Sequence, residues 1–258
     1  MTEFALSVSG LSKRFGGLTA VHNVSLQLAT GALHAVIGPN GAGKSTLINL
    51  LSGDILPSSG KIHLHGREIT GLSPQQRSQL GIGRSYQKTN IFGSFSTLEN
   101  CRLAAQSREP HAFNPFRAAS DYRTIVRAAE QALEAVGLQH RAEVTAGTLS
   151  HGEQRQLEIA MSLATRPQVL LLDEPLAGMG AEEASSMVRL LLQISQTHAV
   201  LLVEHDMDAV FALAQTLTVM VNGNILESGT PEQIRNSAQV QRAYLGGEDG
   251  APEENHHG

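Results

Sequence analysis

Apolar positions in this chain follow two rhythms: short continuous runs near its start and end, and a period near four through its middle. Residues 4–8, 24–28 and 33–37 read as strands, with Ala29-Thr30-Gly31 as the turn between the last two. A further strand is expected at 61–64, between the turn clusters Pro57-Ser58-Ser59-Gly60 and His65-Gly66, and another at 81–86. The runs 169–172 and 199–203 are apolar throughout, which suits strands covered on both faces. Residues 217–221 and 225–228 flank Asn222-Gly223, a two-residue hairpin turn. Helical spacing is seen in Leu47, Ile48, Leu50 and Leu51 before Gly53, across 97–106, and across 121–136, where Ile125, Ala129 and Leu133 recur and Gly137 stops the helix. Leu157, Ile159, Ala160 and Leu163 predict another helix, opened by Ser150 and Glu153 at capping-box spacing. Segment 108–119, with two prolines and no apolar period, reads as a loop or short insertion. The pattern is that of an α/β protein.

At 258 residues the chain is long enough for one large domain or two small ones, and nothing in it requires the second. A net charge of −5 argues against a broad surface for nucleic acid or anionic membrane. Cys101 is the only cysteine, which excludes an intrachain disulfide framework and a cysteine-based zinc cluster and points to a reducing compartment. Residues 1–10 lack the basic-then-apolar layout of a signal peptide, and the longest apolar runs are far short of a membrane span. Any membrane process is therefore expected to be served from the aqueous side. The acidic, glycine-containing tail 246–258 is expected to be disordered, and His256 and His257 are too few to define a metal site.

The chemistry gathers around Gly38-Pro39-Asn40-Gly41-Ala42-Gly43-Lys44-Ser45-Thr46, a G-x-x-x-x-G-K-[ST] run between a predicted strand and a predicted helix. Glycines let such a loop turn its N–H groups inward, the helix start adds positive potential, Lys44 meets the β- and γ-phosphates, and Ser45 is placed for Mg²⁺. Asp173 and Glu174 end an apolar run, where ligands bind in open α/β sheets; Asp173 suits Mg²⁺, and Glu174 suits orienting or deprotonating a water. Glu204-His205-Asp206 follow the run 199–203, and His205 is either structural or, at another strand end facing the same crevice, a γ-phosphate sensor. Phe15 is either ordinary packing or a ring for stacking on a base, and Gln87 is either a surface residue or a neighbour of the metal and water. The stretch 149–154 starts a helix and, as a helix start, is also an anion site.

With these elements in this order, the chain resembles the ATP-binding subunit of ABC transporters over nearly its whole length. The resemblance implies a P-loop NTPase, RecA-like core with a mixed sheet, an N-terminal antiparallel β part and an α-helical subdomain. Residues 1–87 and 166–245 would form the core and about 88–165 the helical subdomain of a single ATPase domain, 1–245. It implies that 38–46 is the Walker A loop, Gln87 the Q-loop glutamine, Ser150 and Gly152 parts of the signature, Glu174 the catalytic glutamate and His205 the switch histidine, and it gives Phe15 the base-stacking position. ATP and Mg²⁺ are the implied cofactors, with Ser45, Gln87 and Asp173 ordering the metal. The implied partners are membrane permease subunits and a second ATPase, identical or related, whose signature completes the site, with a solute-binding protein acting indirectly. The implied place is the cytoplasmic face of the inner membrane. More narrowly, the runs 149–155, 173–180 and 226–231 look like the Liv-type branch, which energises uptake of branched-chain amino acids, with urea and amide importers close by. His151 stands where the general family has glycine, and Gly180 where it usually has aspartate, which implies looser coupling between two paired sites. A non-transport ABC ATPase would explain the same motifs; a P-loop kinase for small molecules would leave 149–154 without a task.

Overall fold

The computed structural model describes residues 4–85, 90–108 and 119–245. Strands β1 (Phe4–Phe15) and β2 (Leu18–Ala29) form an antiparallel hairpin about Gly16-Gly17. Both strands run past the apolar stretches that announce them, because half-buried and exposed polar residues such as Lys13 and Arg14 continue the backbone ladder. Strand β3 (Leu33–Ile37) follows, then helix α1 (Lys44–Ser52), strand β4 (Ser59–Leu64) and the two-residue strand β5 (Arg67–Glu68). Helix α2 (Pro74–Leu80) leads into β6 (Ile82–Arg84). Gly81, expected as a strand residue, instead caps α2 at φ 113°, its N–H bonded to the carbonyls of Arg77 and Ser78. Tyr86, the other end of that expected strand, lies outside the described residues.

Helices α3 (Thr97–Gln106), α4 (Ala119–Ala135) and α5 (His151–Ala164) come next, then β7 (Val169–Asp173), α6 (Ala181–Ser195), β8 (Ala199–Val203) and α7 (Met207–Leu213). Strands β9 (Thr216–Val221) and β10 (Asn224–Gly229) form the hairpin on Asn222-Gly223, followed by α8 (Pro231–Asn236) and α9 (Ala238–Leu245).

Among the described residues the strands form two sheets, an antiparallel one in the order β2-β1-β4-β5 and a mixed one in the order β10-β9-β3-β8-β7-β6. In the mixed sheet every pair except β10-β9 is parallel. Alternate residues of the central strands serve two cores. Leu33, Ala35, Leu170, Leu172, Val200 and Leu202 join the core shared with α3 to α7. Val36, Val169, Leu171, Leu201 and Val203 join Leu47, Ile48, Leu50 and Leu51 of α1 and the inner face of the antiparallel sheet. Each such leucine or valine, buried fully, contributes roughly 1.5–3 kcal/mol. The continuous apolar runs of β7 and β8 follow from this two-sided cover.

Helix α1 is also held at its far end. Arg77 is fully buried and donates to the carbonyls of Leu50 (2.6 Å), Leu51 (2.9 Å), Thr70 (2.7 Å) and Leu72 (3.1 Å), so it caps the last turn of α1. Burial pushes its guanidinium down to about 10.

Candidate active site

Strands β3, β8 and β7 are adjacent and parallel, so their carboxyl ends open on one edge of the sheet, where α/β proteins bind ligands. The 38–46 loop leaves β3 at that edge and enters α1, whose N-cap Gly43 has φ 100° and no side-chain cap. Its first N–H groups are thus without a side-chain acceptor, which suits an anion. The loop's shape is enforced by its neighbours. A Cβ on Gly38 would collide with the carbonyl oxygen of Met220, and one on Gly43 with that of Ala20. The β9–β10 hairpin turn clamps the loop further: Gly223 N–H donates to Ala42 O at 3.0 Å, and Gly223 O accepts from His22 N–H at 2.8 Å. Lys44 is buried, and its Nζ donates to the carbonyls of Gly38 (2.6 Å) and Pro39 (3.1 Å). Burial lowers its pKa, while Glu174 and Asp173 pull it back up. Ser45 is exposed and Thr46 half-buried in the first turn of α1.

Asp173 ends β7 at 2% exposure, and its Oδ1 has no hydrogen-bond partner among the described residues. Burial raises its pKa, opposed by Arg84 and Lys44 and reinforced by Glu174. A buried carboxylate oxygen left without a donor fits a hard cation better than it fits a packed core. Glu174 has φ 50°, an uncommon left-handed conformation for a side-chain-bearing residue, fixed by its N–H on Val203 O at 2.9 Å. The sharp turn aims its carboxylate across to β8, where His205 Nδ1 lies 3.9 Å from Glu174 Oε1 and 3.7 Å from Glu204 Oε2. His205 itself is largely exposed, so its ring faces both the glutamate and the open edge.

Two residues that serve this geometry, Glu204 and Arg84, are not evident in the motifs. Glu204 is fully buried and accepts from the N–H groups of Leu176 (2.8 Å) and His205 (3.0 Å), which ties the end of β8 to the turn after Glu174. Burial pushes its carboxyl up, and those two amides draw it down. Arg84 ends β6, pairs with Asp54, and donates to Ser52 Oγ (2.7 Å) and Asn49 Oδ1 (2.6 Å), which fastens β6 to α1. The signal for Glu204 is a carboxylate next to an apolar run; for Arg84 only its place beside Gln87 hints at anything.

The other expected site residues divide. Phe15 stands half-exposed at the end of β1, with Lys13 Nζ 5.1 Å from its ring centroid. The strand that returns from it brings Ala20 O against Gly43 and Gly223, so this hairpin borders the phosphate loop. Ser150 and Gly152 open α5 and line a depression of about 280 Å³ with Met179, Glu182 and Glu183, and no residue of the loop 38–46 lines it. Ser150 is the N-cap, its Oγ accepting from Glu153 N–H at 3.2 Å while Glu153 Oε2 accepts from Ser150 N–H at 2.9 Å. That bond leaves the serine O–H proton to donate. The Ser150 amide holds the Glu153 carboxyl below its usual range, helped by Arg141. His151 is the first helical residue of α5, which requires no glycine freedom, and its Nε2 donates to Ala177 O at 3.1 Å. Gly180 is the N-cap of α6, its N–H reaching Glu183 Oε2 at 3.4 Å. Gln87 lies outside the described residues.

Comparison with known proteins gives one answer from each direction. The ABC transporter family model matches residues 21–177, and a branched-chain amino acid ATP-binding cassette transporter model matches 225–254. The chain is 39% identical to the high-affinity branched-chain amino acid transport ATP-binding protein LivG of Escherichia coli and 41% identical to BraF of Pseudomonas aeruginosa. Each alignment covers 95% of this chain and 99% of the relative. Among solved structures it is similar to a nucleotide-free ATP-binding cassette of an ABC transporter (TM-score 0.81, 28% identity, 95% of this chain and 99% of that one). It is likewise similar to a cassette in its ADP conformation (TM-score 0.82, 27% identity, 95% and 100%).

Proposed function

The chain belongs to the ABC transporter family as one of its ATP-hydrolysing subunits, and from that premise we propose that it energises import of branched-chain or related amino acids. One observation carries the ATPase reading: the phosphate loop, Asp173, Glu174 and His205 converge on one edge of the sheet, at the ends of three neighbouring parallel strands. What supports the cargo is likeness to named importers along almost the whole chain.

In this reading the N–H groups opening α1 and Lys44 hold the outer phosphates, and Phe15 stacks on the base. Ser45, Gln87 and Asp173 are the residues that would hold Mg²⁺, which would supply neutralisation of the phosphate charge. Glu174 orients and polarises the attacking water, and His205 senses the γ-phosphate. Ser150 and Gly152 act on a second subunit's nucleotide, so two ATPase chains pair head to tail, and hydrolysis loosens the pair. The helical part, about 88–165, receives the membrane subunit on the cytoplasmic face. Phe92 and Phe95, stacked 5.5 Å apart and both exposed, are its contact residues.

The test is capture of this subunit from detergent-solubilised membranes with mass spectrometry of its companions. Two multi-span membrane proteins and a second ATPase are expected, together with an amino-acid-binding protein. Recovery of ribosomal or DNA-associated proteins alone would overturn the transport reading in favour of a non-transport ATPase.

A further inference from the structure

Helix α5 carries a row of polar side chains, His151, Arg155, Glu158 and Ser162, at steps of four, three and four, hence on one face, and the last three of them are buried. Two of them hold the chain on both sides of residues 86–89. Ser162 Oγ donates to the carbonyl of Arg84, the last residue of β6, at 2.9 Å. On the other side the Asn90 N–H donates to Glu158 Oε1 at 2.7 Å. The second Glu158 oxygen takes Arg155 Nη1 at 2.9 Å, and both side chains are buried, at 5% and 8% exposure. Burial pushes the Glu158 carboxyl up, and the Asn90 amide and Arg155 draw it back down. Buried ion pairs are often no more stabilising than apolar residues of the same volume, so stability is a poor account of this one. What the carboxylate does that leucine cannot is grip a backbone amide from another segment.

The same helix is capped by Ser150, and His151 bonds to Ala177, three residues after Glu174. Helix α5 therefore meets the chain leading out of the Gln87 segment and the turn that follows the catalytic glutamate. We propose that Glu158 is a positioning residue for ATP hydrolysis: by holding the Asn90 amide it locks the chain beyond Gln87 to the helix bearing Ser150, so that both approach nucleotide as one unit. This rests on the ATPase reading above and deepens it.

Three variants separate positioning from folding. Glu158→Gln keeps an oxygen for the Asn90 amide. Glu158→Ala removes it. Glu158→Ala combined with Arg155→Met removes both members of the buried pair. Turnover should stay within about twofold of wild type in Glu158→Gln and fall on the order of tenfold to a hundredfold in both alanine variants. In the double variant the Kd for ATP and the Tm should stay near wild type. Wild-type turnover in the double variant, or losses of turnover, ATP affinity and Tm that run in parallel in all three, would overturn the proposal. Amide hydrogen exchange at Asn90 is the independent readout: slow in wild type and Glu158→Gln, fast in both alanine variants. Fast exchange in wild type would sink the tether whatever the turnover. A wild-type protein that does not hydrolyse ATP would count against the ATPase reading, and the Asn90 amide would then decide the tether alone.

Discussion

Glu174, proposed above to act on the attacking water, sits in a left-handed backbone conformation held by its N–H on Val203 O, a bond that does not involve its side chain. Glu174→Gln keeps the shape and the φ but removes the base. Turnover should drop by roughly 10²- to 10⁴-fold while ATP binding is spared, measured as phosphate release against nucleotide affinity; an undiminished rate would remove Glu174 from the role. A second residue-scale expectation concerns His34, buried in β3 with Nε2 on Thr218 Oγ1 (2.8 Å) and Nδ1 on Gln27 O (3.2 Å). Burial lowers its pKa, partly offset by the Gln27 carbonyl. With the folded value below the unfolded one, the unfolded chain takes up the proton first as pH falls. The stabilising contribution is whole above about pH 6.5 and shrinks as pH drops toward the folded value. Urea unfolding at pH 7.5 and 5.5 should show a loss at the lower pH that His34→Gln reduces; equal losses would assign the effect elsewhere.

At the scale of elements, the phosphate-binding helix is fixed at both ends, by the loop in front and by Arg77 behind. Arg77→Leu would strip four carbonyls of their donor and should cost about 3 kcal/mol or more in chemical denaturation. If α1 is positioned from its far end, ATP affinity should weaken with it. The Phe92–Phe95 turn is a separate element, pinned by buried Asn100, which accepts from Phe92 N–H at 2.8 Å and donates to Phe92 O at 3.1 Å. Replacing both rings with aspartate should leave ATP hydrolysis by the isolated subunit unchanged and abolish co-purification with membrane proteins. Intact assembly would place the docking surface elsewhere.

Elements differ in how far they can be read from sequence. β8 and α3 coincide with their expected limits because a strand buried on both faces and a helix with a clear period leave unbroken signals. α2, α7 and α8, at six or seven residues, are too short to show a period. α6 is different, since Met187, Leu190, Leu191 and Ile194 hold helical spacing and the sequence does carry that helix. In the site, glycines, lysine and acidic strand ends are legible because phosphate chemistry restricts them to few residue types. Arg77, Arg84, Glu158 and Glu204 are not, because a buried charge takes its meaning from distant carbonyls, amides and side chains that no local pattern names.

For the whole molecule, no residue of the loop 38–46 lines the depression at the start of α5, and the paired arrangement proposed above has that start meet the nucleotide of another copy or a related chain. The Glu174→Gln protein with ATP should therefore double in mass by light scattering and return to monomer with ADP; a heterodimer requirement would show as doubling only when the second ATPase is added. A constant monomeric mass under every combination would contradict the paired arrangement.

The clamp that the β9–β10 turn and the β1–β2 hairpin place on the 38–46 loop has a kinetic meaning. A cradle whose backbone is already immobilised loses little conformational entropy when phosphate arrives, because that entropy was surrendered when the domain folded. Capture of nucleotide should then be a single fast encounter with no slow isomerisation behind it. The lifetime of the complex, rather than the frequency of productive collisions, becomes the quantity that sets how long each subunit stays loaded.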